Sequence, residues 1–194
     1  MNCEFYFHNC SKEYVDLTGG DLFQEISDIV RSLPQRETQS KINEDLFWTL
    51  TDRRWCYDTT PAKLGQFPPK GLLAKHSPLS EIKRRNDRSL CATSTTLGAS
   101  WHADFGKQFA NGLVQVEAQF GKVESMFKDF CGFKIGGFER RVALGIEIVL
   151  SEPAVYFAHR KNAIGGMAYF DIARKTLPAI NLDTPIWLIG IKES

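Results

Sequence analysis

The chain has 194 residues, 43% of them hydrophobic and 24% charged, with a net charge of +1, so any nucleic-acid binding must use a local basic surface. No apolar run reaches the roughly 18 residues that a membrane span needs, and residues 1–10 lack the regions of a secretory signal. The five scattered cysteines favour reduced thiols in a cytoplasmic protein over a disulfide framework or a zinc site.

The amino-terminal part, about 20–57, has helical periodicity. Asp21 precedes a helix whose apolar residues fall on one face, and Gln24 completes a capping-box spacing. A second helix is predicted from Ser40 to about Leu50. The next residues, 58–80, are rich in proline and glycine and predict a long irregular segment.

The carboxy-terminal part, about 100–191, alternates strands and helices. Period-2 or continuous apolar patterns predict strands over 113–120, 142–150, 154–157 and 185–191, and period-3.6 patterns predict helices over 122–131 and 163–177. Helices before, between and after the strands indicate an α/β fold with a mixed central β-sheet flanked by helices. The length favours one domain over 1–194.

Asn111 and Gly112 predict a tight hairpin turn. If these two residues form the turn, Asp104 lies opposite Gln119 and diagonal to Glu117, and all three side chains share one side of the hairpin. A diagonal separation of about 7–8 Å is one that a small divalent cation can bridge. The other side is apolar and predicts a core face: Val114, Val116, Ala118 and Phe120.

Asp104, Glu117 and Gln119 together suit metal-assisted hydrolysis of a phosphodiester. Two carboxylates on strands offer hard oxygen ligands to Mg²⁺, which also binds phosphate. A third side chain must position the attacking water; Gln119 can orient it by hydrogen bonds but is not a useful base. The same polar residues are also typical of the outer face of a half-solvated hairpin, and the spacing alone favours that alternative.

The motif Asp104-Phe-Gly-Lys, followed by Val116-Glu117-Ala118-Gln119-Phe120, resembles the active-site hairpin of the BglII/BstYI group of type II restriction endonucleases. This group is a branch of the PD-(D/E)xK nuclease superfamily in which glutamine replaces the usual lysine. Further similarity covers most of 21–191, including the helix at 21–34 and the strand at 185–191.

The resemblance implies a restriction-endonuclease-like core and a homodimer that cuts a short palindromic site in double-stranded DNA. Known members of the group read sites centred on GATC. The resemblance also implies Mg²⁺ as the cofactor, with Mn²⁺ as a substitute. Asp104 and Glu117 would be metal ligands together with the carbonyl of Ala118, and Gln119 would position the water.

Recognition residues match the group less closely than catalytic ones. Lys122 stands where the group has polar Ser-Asn residues, and only Asn162 matches a second Asn-Ser pair. The candidates for DNA contact are Lys122, Arg160, Lys161, Asn162, Lys83, Arg84 and Arg85. The alternatives are a solvated loop in which Asn162 caps a helix, and a solvated basic surface at 81–90.

Two other functions compete with a restriction enzyme. One is a non-specific, repair or nicking DNA nuclease with the same fold. The other is a catalytically inactive DNA-binding subunit, although such a subunit has no physical need of paired carboxylates. Metal-dependent cleavage separates the inactive subunit from the two enzymes.

Overall fold

A computed structural model describes residues 1–57, 103–158 and 164–193. In these ranges six strands form one sheet: β1 Asn2–His8, β2 Cys56–Tyr57, β3 Phe105–Phe109, β4 Gly112–Ala118, β5 Val142–Leu150 and β6 Ile186–Lys192. The helices are α1 Lys12–Gly19, α2 Leu22–Ser32, α3 Gln39–Asp52, α4 Val123–Phe138, α5 Pro153–Tyr156 and α6 Phe170–Ala179.

The sheet is mixed, as the sequence predicts. Its strand order is β1-β6-β5-β4-β3-β2. The three central strands β4, β5 and β6 run parallel, whereas β1, β3 and β2 each pair antiparallel with a neighbour. The connection from β4 to β5 contains α4, which is the crossover that parallel strands require.

Apolar clusters cover both faces of the sheet. On one face, residues of α1, α2 and α3 pack against alternate side chains of the central strands, including Val116 and Ile148. On the other face, α4 and α6 pack against Val149 and Leu188. Polar side chains that β4 and β5 direct toward α4 therefore lie in the interior of the protein and not in solvent.

Helix α4 packs close to the sheet through its glycines. It runs from Val123 to Phe138 and so extends past residue 131, where the sequence pattern places its end. A Cβ atom on Gly136 would lie 2.5 Å from Cγ2 of Val142, at the start of β5. The absence of a side chain at this position lets the helix approach the strand that follows it.

Several local predictions were wrong. Residues 154–157 were predicted as a strand but belong mostly to α5, which starts at Pro153, and proline suits the first turn of a helix. Helix α6 begins at Phe170, later than the predicted start at residue 163. The capping box at α2 does not form: the Asp21 side chain makes no cap bond, and Asp16 Oδ1 accepts the backbone N–H of Phe23 at 3.0 Å.

Other predictions hold or stay open. Helix α3 and strands β5 and β6 agree with their predicted spans to within about two residues. The four cysteines in the described ranges are free thiols. None of the helices in these ranges combines the length and apolar character needed to cross a bilayer. The predicted irregular segment at 58–80 and the basic run at 81–90 lie outside the described residues.

Candidate active site

The β3–β4 hairpin aligns two carboxylates more closely than the sequence predicts. Phe109 pairs with Gly112, so the turn consists of Ala110 and Asn111 and not of Asn111 and Gly112. Gly112 is instead the first residue of β4, with a φ of 136°. The register moves by two residues, which leaves every side chain on its predicted side of the hairpin. Asp104 now lies opposite Glu117 and no longer opposite Gln119.

The carboxylates of Asp104 and Glu117 each accept a backbone N–H from the opposite side of the hairpin. The N–H of Asp104 donates to Glu117 Oε2 at 3.2 Å, and the N–H of Ala118 donates to Asp104 Oδ2 at 3.1 Å. Glu117 Oε1 is buried and has no hydrogen-bond partner in the described part of the chain. The two acids are therefore fixed side by side with oxygen lone pairs left over.

Gln119 is oriented by a residue that the sequence pattern did not single out. Its Nε2 donates to Oδ2 of Asp129, on α4, at 3.1 Å. Its Oε1 accepts the backbone N–H of Gly121 at 2.8 Å. An amide has two donors and two acceptor lone pairs, so one donor and one lone pair remain for a water molecule.

A further carboxylate, that of Glu147, lies on β5. Glu147 is the register partner of Glu117 in the parallel β4–β5 ladder, so both side chains point to the face that α4 covers. It is 0% exposed, and both of its carboxylate oxygens lack a hydrogen-bond partner among the described residues. Sequence reasoning missed it because 142–150 has the pattern of a buried strand; its signal is one acid in an apolar run.

Burial raises the pKa values of all four acids, and repulsion by neighbouring carboxylates adds to the rise for Glu117, Asp129 and Glu147. Burial raises the pKa of Asp104 to about 6 and that of Asp129 to about 7. Burial, and then the neighbouring acids, hold the pKa values of Glu117 and Glu147 well above their ordinary range. Such a cluster favours the binding of a proton or a cation, and groups of this kind concentrate at functional sites.

The four acids and Gln119 fit a divalent cation. The fit rests on the buried Oε1 of Glu117, which has no hydrogen-bond partner in the described ranges, because a cation would supply the positive charge that this oxygen lacks. Across the described ranges, no three His, Cys, Asp or Glu side chains form a ready-made cage. Mg²⁺ needs no such cage, since it is commonly held by one or two carboxylates, several waters and substrate phosphates.

The alternative in which these polar residues form the solvated outer face of a hairpin is excluded, because Gln115 and Glu117 are both buried.

The predicted basic residues do not contact the acids in the described ranges. Lys107 pairs with Glu25 instead, with its Nζ 2.9 Å from Glu25 Oε1, toward α2. Lys122 is exposed at the start of α4. The remaining candidates for DNA contact lie outside the described residues: Lys83, Arg84, Arg85, Arg160, Lys161 and Asn162.

Comparison with known proteins gives a family match and likenesses to solved structures. The family model described as restriction endonuclease BglII/BglIII matches residues 3–191. The crystal structure of restriction endonuclease BglII complexed with a DNA 16-mer is similar, with a TM-score of 0.63 and 16% sequence identity, over 100% of this chain and 79% of that one. A comparison with curated proteins found no match.

Proposed function

Because the chain belongs to the BglII/BglIII family of restriction endonucleases, and is thus a type II site-specific deoxyribonuclease, we propose that Asp104, Glu117 and Gln119 are its active site. The observation that carries this proposal is the pair of adjacent carboxylates of Asp104, directly before β3, and Glu117, on β4. Each acid is anchored by the backbone of the opposite strand, so the pair is organised before substrate arrives.

Asp104 and Glu117 would hold Mg²⁺, or Mn²⁺ in its place, with the carbonyl of Ala118 as a further ligand. When bound, the ion would polarise the scissile phosphate and lower the pKa of a water molecule. The amide of Gln119, which Asp129 and Gly121 orient, would align the attacking water. A glutamine cannot take up the proton, so the proton would leave to solvent or to a phosphate oxygen.

The substrate is proposed to be a short palindromic duplex, and sites centred on GATC are the first to test. Arg160 and Asn162 would read bases, since arginine suits guanine and asparagine suits adenine. Phosphates would be contacted by a larger set of basic side chains, which position the duplex without reading it: Lys122, Lys161, Lys83, Arg84 and Arg85.

A palindromic site suggests a homodimer with twofold symmetry. The outer side of α4 supports this, because it exposes Phe127, Cys131 and Phe138 at helical spacing, with Phe138 79% exposed. Large apolar side chains in such an exposed row are typical of protein interfaces. We therefore propose that α4 lies at the dimer contact.

Replacing Phe138 with serine is expected to weaken dimerisation. Truncating a buried aromatic anchor at an interface costs about 2 kcal/mol or more, which is roughly a 30-fold rise in the dissociation constant. Light scattering after size-exclusion chromatography at several concentrations measures this change. Leu17→Ser is the control, since Leu17 is 72% exposed on α1, and it should leave the dimer intact. Equal dimerisation of both variants would contradict an α4 interface.

The function is tested by incubating purified protein with unmethylated phage DNA in Mg²⁺ or in EDTA. Discrete fragments that form only with Mg²⁺ are expected, and their mapped ends give the recognition site. A Mg²⁺-dependent smear would support the active site but indicate a non-specific nuclease. The absence of cleavage by folded protein on several DNAs would favour an inactive DNA-binding subunit.

A further inference from the structure

We propose that a second divalent cation binds between Glu117 and Glu147, on the side of Glu117 that faces away from Asp104. Glu117 would then bridge two cations, the first shared with Asp104 and the second shared with Glu147. This inference rests on the proposed function, because it assumes that Asp104 and Glu117 hold the first cation.

The strand order places the three acids in one row. Strands β3, β4 and β5 are neighbours, with β4 in the middle. Asp104 contacts Glu117 from the β3 side, and Glu147 is the register partner of Glu117 on the β5 side. Neighbouring strands are about 4.8 Å apart, and the ions of two-metal sites are about 3.5–4 Å apart, so the row has a suitable spacing.

Glu147 lacks the partners that a structural buried acid has. It is 0% exposed, and neither of its carboxylate oxygens has a hydrogen-bond partner in the described ranges. Oε1 of Glu117 is also buried and has no hydrogen-bond partner in these ranges. Buried polar groups are almost always hydrogen-bonded, and those that are not call for an explanation such as an ion. The two unsatisfied side chains belong to register partners on adjacent strands.

The surroundings of Glu147 argue against a packing role. On the same face of the sheet, its neighbour Val149 along β5 and its register partner Leu188 on β6 are both apolar. An aliphatic residue would suit this core position better than a carboxylate that finds no donor. Glu147 is instead the register partner of Glu117, so the strand pairing places it next to the acidic site.

The carboxylate oxygens of Glu117 and Glu147 determine which class of metal ion the second position would bind. Carboxylate oxygens are hard ligands that suit Mg²⁺, Mn²⁺ and Ca²⁺ better than softer metals. Two carboxylates at each position, completed by water, match the way Mg²⁺ is commonly bound. Asp129 adds a fourth carboxylate to the cluster while it holds Gln119.

The test is to measure Mn²⁺ binding to the full chain without DNA, by the electron paramagnetic resonance signal of free Mn²⁺. Wild-type protein is expected to bind two equivalents. Glu147→Gln, which keeps the shape of the side chain, should bind one, with at least a tenfold loss of affinity at the second position. Glu152→Gln, which changes an exposed acid beyond the end of β5, should bind two.

Two results would overturn the inference. One is a wild-type chain that binds fewer than two Mn²⁺ ions. The other is a Glu147→Gln variant that binds the second Mn²⁺ ion as tightly as wild type does, which is expected if the two glutamates merely share a proton. Circular dichroism checks that the variant is folded, and Glu147→Leu repeats the measurement with an apolar residue. If Glu117→Gln abolishes DNA cleavage while Glu147→Gln binds Mn²⁺ normally, only this inference fails. If Glu117→Gln still cleaves, the proposed active site fails instead.

Discussion

Replacing Glu117 with glutamine is expected to reduce Mg²⁺-dependent DNA cleavage by at least about 10³-fold. Glu117 is the central acid of the row and the proposed bridge between Asp104 and Glu147. Its loss removes a charged metal ligand, and metal ions contribute several kcal/mol to stabilising the transition state. Asp104→Asn should cause a loss of similar size, because the same cation depends on both acids.

The loss must be shown to be catalytic and not structural. Initial rates of plasmid cleavage measure activity, and a gel-shift titration with the same DNA in Ca²⁺ measures binding. Glu117→Gln is expected to bind DNA within a few-fold of wild type, since the substitution removes a buried charge without removing a basic residue. Glu152→Gln is the matched control and should cleave normally. Cleavage by Glu117→Gln within tenfold of wild type would contradict the assignment.

The sequence predicts the sheet and the β3–β4 hairpin better than it predicts the register of that hairpin. Alternation along 113–120 places Glu117 and the apolar residues on opposite sides whichever turn forms. The turn is different because Gly112 takes part in β4 with a φ of 136°, beside Ala143 of β5, where a Cβ atom would lie 2.5 Å from that of Ala143. This contact joins residues far apart in the chain, so local turn preferences do not contain it.

The parts of the site that sequence reasoning missed come from neighbouring elements. Glu147 lies beside Glu117 only because β5 is parallel to β4 and in that register. Asp129 reaches Gln119 because α4 packs on the sheet at glycine positions such as Gly136. No spacing between 104 and 119 encodes either contact. The edge strand β1 was missed for the same reason, since it pairs with β6 at the other end of the chain.

The metal-free protein is expected to lose stability as pH rises from about 4 to about 7. Burial raises the pKa of Asp104 from 3.8 to about 6, and that of Asp129 from 3.8 to about 7. The folded state therefore binds more protons than the unfolded state in this interval. The stability that these bound protons contribute is fully present at pH values below the pKa values of the unfolded state. It is lost as pH rises through the higher pKa values of the folded state.

The size of the loss follows from the shifts, since each pKa unit corresponds to about 1.4 kcal/mol. The free energy of unfolding in EDTA, from urea titrations at pH 5 and pH 8, should therefore fall by a few kcal/mol. Glu147→Gln removes one buried ionisable group and should reduce the fall, whereas the exposed control Glu152→Gln should not.

Mg²⁺ should restore stability at pH 8, because an ion that binds only the folded chain stabilises it by mass action. The restoration should be much smaller at pH 5, where protons occupy the carboxylates and compete with the ion. Stability that is equal at pH 5 and pH 8 in EDTA would mean that the four acids do not form the cluster described. An equal effect of Mg²⁺ at both values would mean that the ion binds elsewhere. The protons that stabilise the metal-free fold and the cation proposed for catalysis thus compete for the same carboxylate oxygens.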